Sequence, residues 1–301
     1  INYMYVDDVT LLAPTPSAIR IMLRICDEFA KEYSVIFNIK KMKCLFFQPR
    51  GKRLVQTCDL PVFTLNNNSI EYVDQYCHLG NLINTSLSDS DCIVARRNSL
   101  IGQLNDVLCY FGKLECHVKS DLLHTYCNSF YGSVLWDLHD KNIDKICTAW
   151  CSALRRVWHL PFNTHRNIVY YLSGKLSVLD EFCHRVLVFL LNCLCSQNNI
   201  LRYVVNFVTQ SGLSNSLLGR NLLFICNRYK ISYYSIMNNS MLCEISIHFS
   251  LYCHRANVNV NRPPSSDMLL LSELLLVRDE HMTLSIDRQD IQDMINYLCT
   301  Y

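Results

Sequence analysis

Glycine and proline are scarce in this chain, with 8 and 7 residues of 301, against roughly 12% together in average usage. So little chain-turning chemistry excludes a turn-dense β fold and favours long helices. Charge is thin as well. Only 18% of residues are charged, and 28 basic against 26 acidic side chains leave +2. That balance excludes a uniformly basic nucleic-acid coat and an acidic solvating tail. Long apolar runs are missing: the longest, Val186 to Leu191 with Cys193 to Cys195 beyond Asn192, falls short of a membrane span. No basic flank followed by a long apolar region opens the chain, so no signal peptide is expected. Zinc-site spacing is also absent. The closest pairs, Cys193-x-Cys195, Cys147-x3-Cys151 and Cys253-His254, do not make half of a paired C-x2-C or H-x3-H set, so no structural zinc is expected.

What is present is apolar. Half of the residues are hydrophobic and 17 are cysteine, enough to bury a sizeable core without a disulfide framework. The cysteines read as reduced, small buried hydrophobes, and the expected compartment is nuclear or cytoplasmic. The first residue is Ile, so the chain reads as an excerpt of a longer one.

Along the chain, Ile1–Tyr5 and Val9–Leu12 are short apolar runs around Val6-Asp7-Asp8, the pattern of a β-hairpin with acids at its turn. Thr15-Pro16-Ser17 starts a helix whose apolar positions run to about Tyr33. Val35–Ile39 and Lys43–Phe47 read as an extended stretch and a strand. Val62–Leu65 and Ile70–Val73 flank Asn66-Asn67-Asn68, a turn because Asn tolerates left-handed backbone angles. From about Ser88 the three- and four-residue spacing of helices takes over. One helix is expected from there to Phe111, with Ser88 or Asp89 as cap, and a second carries Leu122, Leu123, Tyr126, Phe130 and Leu135. Further helices are expected at Ile143–Trp158, Leu179–Cys195, Leu217–Tyr234 and Met241–Tyr252. Arg262-Pro263-Pro264-Ser265-Ser266 is a linker, followed by helices at Met268–Arg278 and Ile286–Leu298.

Tyr5-Val6-Asp7-Asp8 is the most informative spot. Adjacent carboxylates on an apolar hairpin raise each other's pKa unless a cation neutralises them. Mg²⁺ is bound by one or two carboxylates plus substrate phosphates. Taken alone, an Asp-Asp pair is an ordinary solvated turn. Its company changes that: the hairpin and its following helix are succeeded by Phe37-Asn38-Ile39-Lys40-Lys41-Met42-Lys43 and then His78-Leu79-Gly80-Asn81-Leu82-Ile83. This order and spacing resembles the second half of the reverse transcriptase palm of LINE-type (non-LTR) retrotransposons, of the chicken-repeat or jockey-like kind.

The resemblance implies that Asp7 and Asp8, in the F/Y-x-D-D box, bind Mg²⁺ (or Mn²⁺), with Asp7 the direct ligand. It implies that Lys41, in an Asn-x-x-Lys box, lies near the incoming nucleotide's phosphates, with Lys40 and Lys43 on nucleic acid. His78, Leu79 and Gly80 map onto the primer grip, His78 standing where the family has an aromatic. Phe130-Tyr131-Gly132-Ser133 with Trp136 resembles the family's Y-G-S-x-x-W stretch. Trp150 to Pro161 with Thr164-His165, and Glu273-Leu274-Leu275 with Arg278-Asp279 and Cys299-Thr300, resemble its later segments. The implied partners are an RNA template, a DNA primer and deoxynucleoside triphosphates, with no membrane. The family's palm draws another aspartate from a strand upstream of this hairpin, so residues 1–301 alone are expected not to polymerise.

Two surfaces keep two readings. Lys40, Lys41, Lys43, Arg50, Lys52 and Arg53 form a basic cluster without an acid between Tyr33 and Cys58, either a phosphate-tracking surface or a solvated face. Arg155, Arg156, His159, His165 and Arg166 lie among Trp150, Trp158, Phe162 and Tyr170. The i, i+4, i+8 spacing of Trp150, Leu154 and Trp158 makes that stretch first a core stripe.

The expected fold is α+β. A partial palm with primer grip covers 1–87, a thumb-like helical region 88–160, and a helical C-terminal region 161–301. The expected function is a fragment of an RNA-directed DNA polymerase. The alternatives are a non-catalytic nucleic-acid-binding helical module and a decayed retroelement product.

Overall fold

The computed structural model describes residues 2–5, 8–48, 59–128, 130–211, 215–249 and 253. Asp7, the basic residues Arg50, Lys52 and Arg53, the linker at 262–266, the two helices expected beyond it and the motifs near the C-terminus lie outside the described residues. The described chain mixes helix with a few short strands, as an α+β reading requires. It divides into two units, Ile1–Phe224 and Ile225–Tyr301.

The first unit opens on an antiparallel hairpin, β1 (Asn2–Tyr5) and β2 (Asp8–Leu11), in the register Tyr5↔Asp8 to Asn2↔Leu11. Helix α1 (Pro16–Tyr33) follows. Thr15 caps it by accepting from the Ala18 N–H at 3.3 Å, and Pro16 fills the first turn, where a missing N–H costs nothing. Ser34 ends it in the left-handed region at φ 55°. Leu23 of α1 joins Phe63, Leu65 and Ile70 in a small core, against which Leu11, Phe37, Met42 and Tyr72 pack.

The strands around that core are shorter than expected. β3 (Lys43–Cys44) pairs in parallel with β6 (Glu71–Tyr72). The ladder stops at Cys44, short of the expected Phe47. β4 (Thr64–Leu65) and β5 (Asn68–Ser69) form a hairpin whose two connecting residues, Asn66 and Asn67, have φ 48° and 61°. Left-handed angles at both central positions define the turn that matches strand twist, so Asn68 belongs to the strand and not to the turn. A further hairpin pairs β7 (Gln75–His78) with β8 (Asn81–Asn84).

Helices make up the rest of this unit: α2 (Ser90–Phe111), α3 (Cys116–Cys127), α4 (Lys141–Val157), α5 (Arg166–Ser173), α6 (Val178–Cys195) and α7 (Asn199–Ser211). α2 packs on α3 and α4, and α4 on α5 and α6. Asp89 occupies the N-cap position of α2 without capping it. Its carboxylate accepts from the Asp137 N–H at 2.9 Å instead.

The second expected helix does not continue to Phe130 and Leu135. It ends at Cys127, and the chain passes through Gly132 at φ 83° into a single 3-10 turn, Ser133–Leu135. The break lets Phe130 enter an edge-to-face cluster with Trp136, Trp150 and Phe182, at centroid distances of 6.3, 6.1 and 5.2 Å. Burying four large rings together outweighs one more helical turn.

Helix α8 (Leu217–Tyr229) also ends earlier than its apolar spacing suggests. Lys230 turns left-handed at φ 56°, and Ile231 N–H reaches back to the Cys226 carbonyl. In the second unit, α9 (Tyr233–Met237) then starts on a Ser232 cap and α10 (Asn239–Ile247) on an Asn238 cap, while Tyr229 packs edge-on against Phe249 at 4.8 Å.

Cysteine behaves as a hydrophobe in this fold. Cys92, Cys127, Cys147, Cys151, Cys183 and Cys193 are buried and outside any disulfide, and burial pushes Cys147 up to about 12 and Cys127 to about 11. Among the described residues no helix is long and apolar enough to cross a membrane.

Candidate functional site

Register fixes where Asp8 lies. It is exposed and opens β2 opposite Tyr5, so it belongs to the strand and not to the turn. Two residues further along, the Thr10 hydroxyl meets His78 Nε2 at 3.3 Å. His78 ends β7, so this contact joins the acid-bearing hairpin to the β7–β8 hairpin across 68 positions of sequence. The same strand makes a second link. Tyr76, two residues back, donates its hydroxyl to the Lys41 carbonyl at 3.2 Å. One strand therefore touches both the hairpin of Asp8 and the turn of Lys40 and Lys41.

That turn spans Ile39 to Lys41 and is held by Lys41 N–H to the Asn38 carbonyl at 3.0 Å. The side chains of Lys40 and Lys41 are exposed. Lys43 differs from them, because its ammonium pairs with the Glu71 carboxylate across the β3–β6 ladder. An occupied ammonium offers less to a phosphate than its two neighbours do.

Leu79 and Gly80 connect β7 to β8 with φ 46° and 76°. Glycine adopts such angles without penalty, whereas a leucine there carries a steric cost of about 1–2 kcal/mol. Leu79 nevertheless keeps 36% of its surface exposed, so burial of its side chain does not explain the conformation. Strain of this kind is concentrated where a backbone shape is used.

Two further elements hold this turn. Arg96, from the second turn of α2, donates to the Gly80 carbonyl at 2.8 Å. The Tyr131–Gly132 segment lies against it as well: a methyl group on Gly80 would sit 3.4 Å from Tyr131 Cε1, and one on Gly132 would fall 1.8 Å from Asn81 Oδ1. The segment is itself tied down by Arg185 of α6. That guanidinium donates to the carbonyls of Asn128 at 2.9 Å and Phe130 at 3.2 Å, and to the Ser133 hydroxyl oxygen at 3.3 Å. Glu181, one turn earlier on α6, pairs with His124 and accepts from Asn128.

The structure thus brings together the hairpin of Asp8, the lysine turn and the His78-Leu79-Gly80 segment. Asp7 lies outside the described residues. A pair of hard carboxylate oxygens suits Mg²⁺ or Mn²⁺, so Asp7 and Asp8 fit such an ion by chemistry. Among the described residues no group of three or more His, Cys, Asp or Glu side chains is arranged to hold a metal.

Thr10, Tyr76, Arg96 and Arg185 do not emerge from the sequence. Tyr76 had one signal, since it shares a strand face with His78 at a spacing of two. The arginine contacts rest on tertiary packing and had none.

No family model, curated protein or solved structure matches this chain.

Proposed function

We propose that this chain is the C-terminal part of an RNA-directed DNA polymerase of the LINE type. Residues up to 87 form its palm portion and primer grip, and residues 88–160 a thumb-like region. The observation that carries this reading is the double contact of β7. His78 meets the acid hairpin and Tyr76 meets the lysine turn, so three motifs separated in sequence share one surface. A polymerase needs that arrangement, because primer end, nucleotide phosphates and metal-binding carboxylates must meet within one site.

In this reading Asp7 and Asp8 would hold the divalent ions, which when bound activate a primer hydroxyl and stabilise leaving pyrophosphate. Lys41 faces the triphosphate as an exposed cation, with Lys40 beside it on the nucleic acid. His78, Leu79 and Gly80 hold the primer strand. Arg96 fixes the Gly80 carbonyl and so the path of the turn.

The test is binding of an RNA–DNA hybrid with a recessed 3′ DNA end, followed by fluorescence anisotropy with and without Mg²⁺. Affinity that rises with Mg²⁺ and loses that rise in Asp7→Asn supports the polymerase reading. Metal-independent binding that survives Asp7→Asn and Asp8→Asn would favour a non-catalytic nucleic-acid-binding module. Lack of folding or of binding would favour a decayed product.

A further inference from the structure

The proposed primer grip has a second wall. The Tyr131 ring lies in van der Waals range of Gly80, and Gly132 has no side chain where the Asn81 amide lies. The bare Cα of Gly132 thus allows its loop to seat against the β7–β8 hairpin. The seating is reinforced from α6, since Arg185 engages the Asn128 and Phe130 carbonyls and the Ser133 hydroxyl. Phe130 beside it is only 2% exposed and anchored among aromatic rings.

This hardware holds a ring that is not buried. Tyr131 keeps 54% of its surface exposed, beside the exposed Leu79–Gly80 turn. A half-exposed aromatic ring beside an exposed turn is a composition that stacks nucleic-acid bases. Core packing does not account for the ring, because Phe130 makes the core contacts of this loop. We infer that Tyr131 is a nucleic-acid-stacking residue of the hybrid-binding surface, held in place by Gly132, Asn81 and Arg185. This inference rests on the reading of the β7–β8 turn as the primer-contacting segment.

The experiment uses the full chain and the same recessed RNA–DNA hybrid, labelled with fluorescein. Tyr131→Leu removes the ring and Tyr131→Phe keeps it, and thermal melts check that both variants fold. Hybrid affinity should fall about tenfold in Tyr131→Leu and stay within about twofold of the parent in Tyr131→Phe. Unchanged affinity in Tyr131→Leu, or equal losses in both folded variants, would overturn the inference and leave the polymerase reading standing. A parent chain that fails to bind the hybrid overturns the polymerase reading itself, and this inference with it. Should Tyr131→Leu not fold, Tyr131→His provides the second variant. Its smaller flat ring should lose less than tenfold, and full parental affinity after adding the Leu79→Ala change would count against a stacking surface here.

Discussion

His78 Nε2 lies 3.3 Å from the Thr10 hydroxyl, and this contact brings two hairpins into one surface. The bond is worth about 1 kcal/mol. Thr10→Val and His78→Ala should each destabilise the chain by about that much. Together they should cost less than their sum, with a coupling of about 0.5–1 kcal/mol. Urea melts of the two single variants and the double variant give the coupling directly, and strict additivity would show that the contact carries nothing.

Leu79 sits at φ 46° in a two-residue turn. Asn at this position tolerates the angle, as Asn66 and Asn67 do in the β4–β5 hairpin. Leu79→Asn is expected to raise stability by about 0.5–1 kcal/mol while weakening hybrid binding, because the exposed leucine side chain is lost. A variant that gains stability and keeps full affinity would separate the strain from function.

Lys119 is 2% exposed. Its ammonium reaches the Gly112 carbonyl at 3.4 Å and His159 Nε2 at 3.2 Å, and among the described residues no carboxylate pairs with it. Contacts without a carboxylate compensate poorly for desolvating a charge. Lys119→Met should therefore leave the melting temperature unchanged or raise it. Lys119→Ala should cost about 2 kcal/mol through the space it empties. A large loss in the methionine variant would mean that the charge itself is needed.

Burial raises the pKa of Asp89 above 3.8, and the charges of Asp137 and Asp140 add to the rise, while the Asp137 N–H opposes it. A carboxyl raised in the folded state binds protons more tightly there than in the unfolded chain. Its favourable share of stability is complete below the unfolded value and is lost as pH rises through the folded one. Asp89→Asn keeps an acceptor for the Asp137 N–H and lacks the titration. The variant should be the more stable chain at neutral pH, and its advantage should shrink as pH falls toward about 4. Paired melts across that range read the difference.

A thiol pushed to about 12, as in Cys147, is almost wholly protonated at about pH 8, and buried thiols are inert. Iodoacetamide should label Cys77, Cys109, Cys195 and Cys243, which are exposed, well before Cys147, Cys151 and Cys183. Peptide mass spectrometry of a timed reaction would show the order.

Local chemistry explains what could be read in advance. Thr15-Pro16 announces α1, and Asn66-Asn67 announces a hairpin turn, because each acts within a few residues of itself. The remaining features need partners far along the chain. Nothing near Phe130 tells that its ring will prefer Trp136 and Phe182 to another helical turn. The contacts of Arg185 depend on carbonyls left open by that same choice. α5 and α7 are not expected from the sequence, although the apolar residues of both recur at helical spacing. In the candidate site, the motif residues are visible as types and order. Their meeting depends on Thr10 and Tyr76, which carry no motif of their own.

Arg185 also sets a timetable. The Phe130 carbonyl it binds is made 55 residues earlier. At 5–20 residues per second, a ribosome needs roughly 3–11 s to add that length. Through this interval the loop between α3 and the 3-10 turn has no guanidinium to hold it, and water must serve its carbonyls. The loop that carries Tyr131 is therefore completed late in synthesis, by a helix made after it.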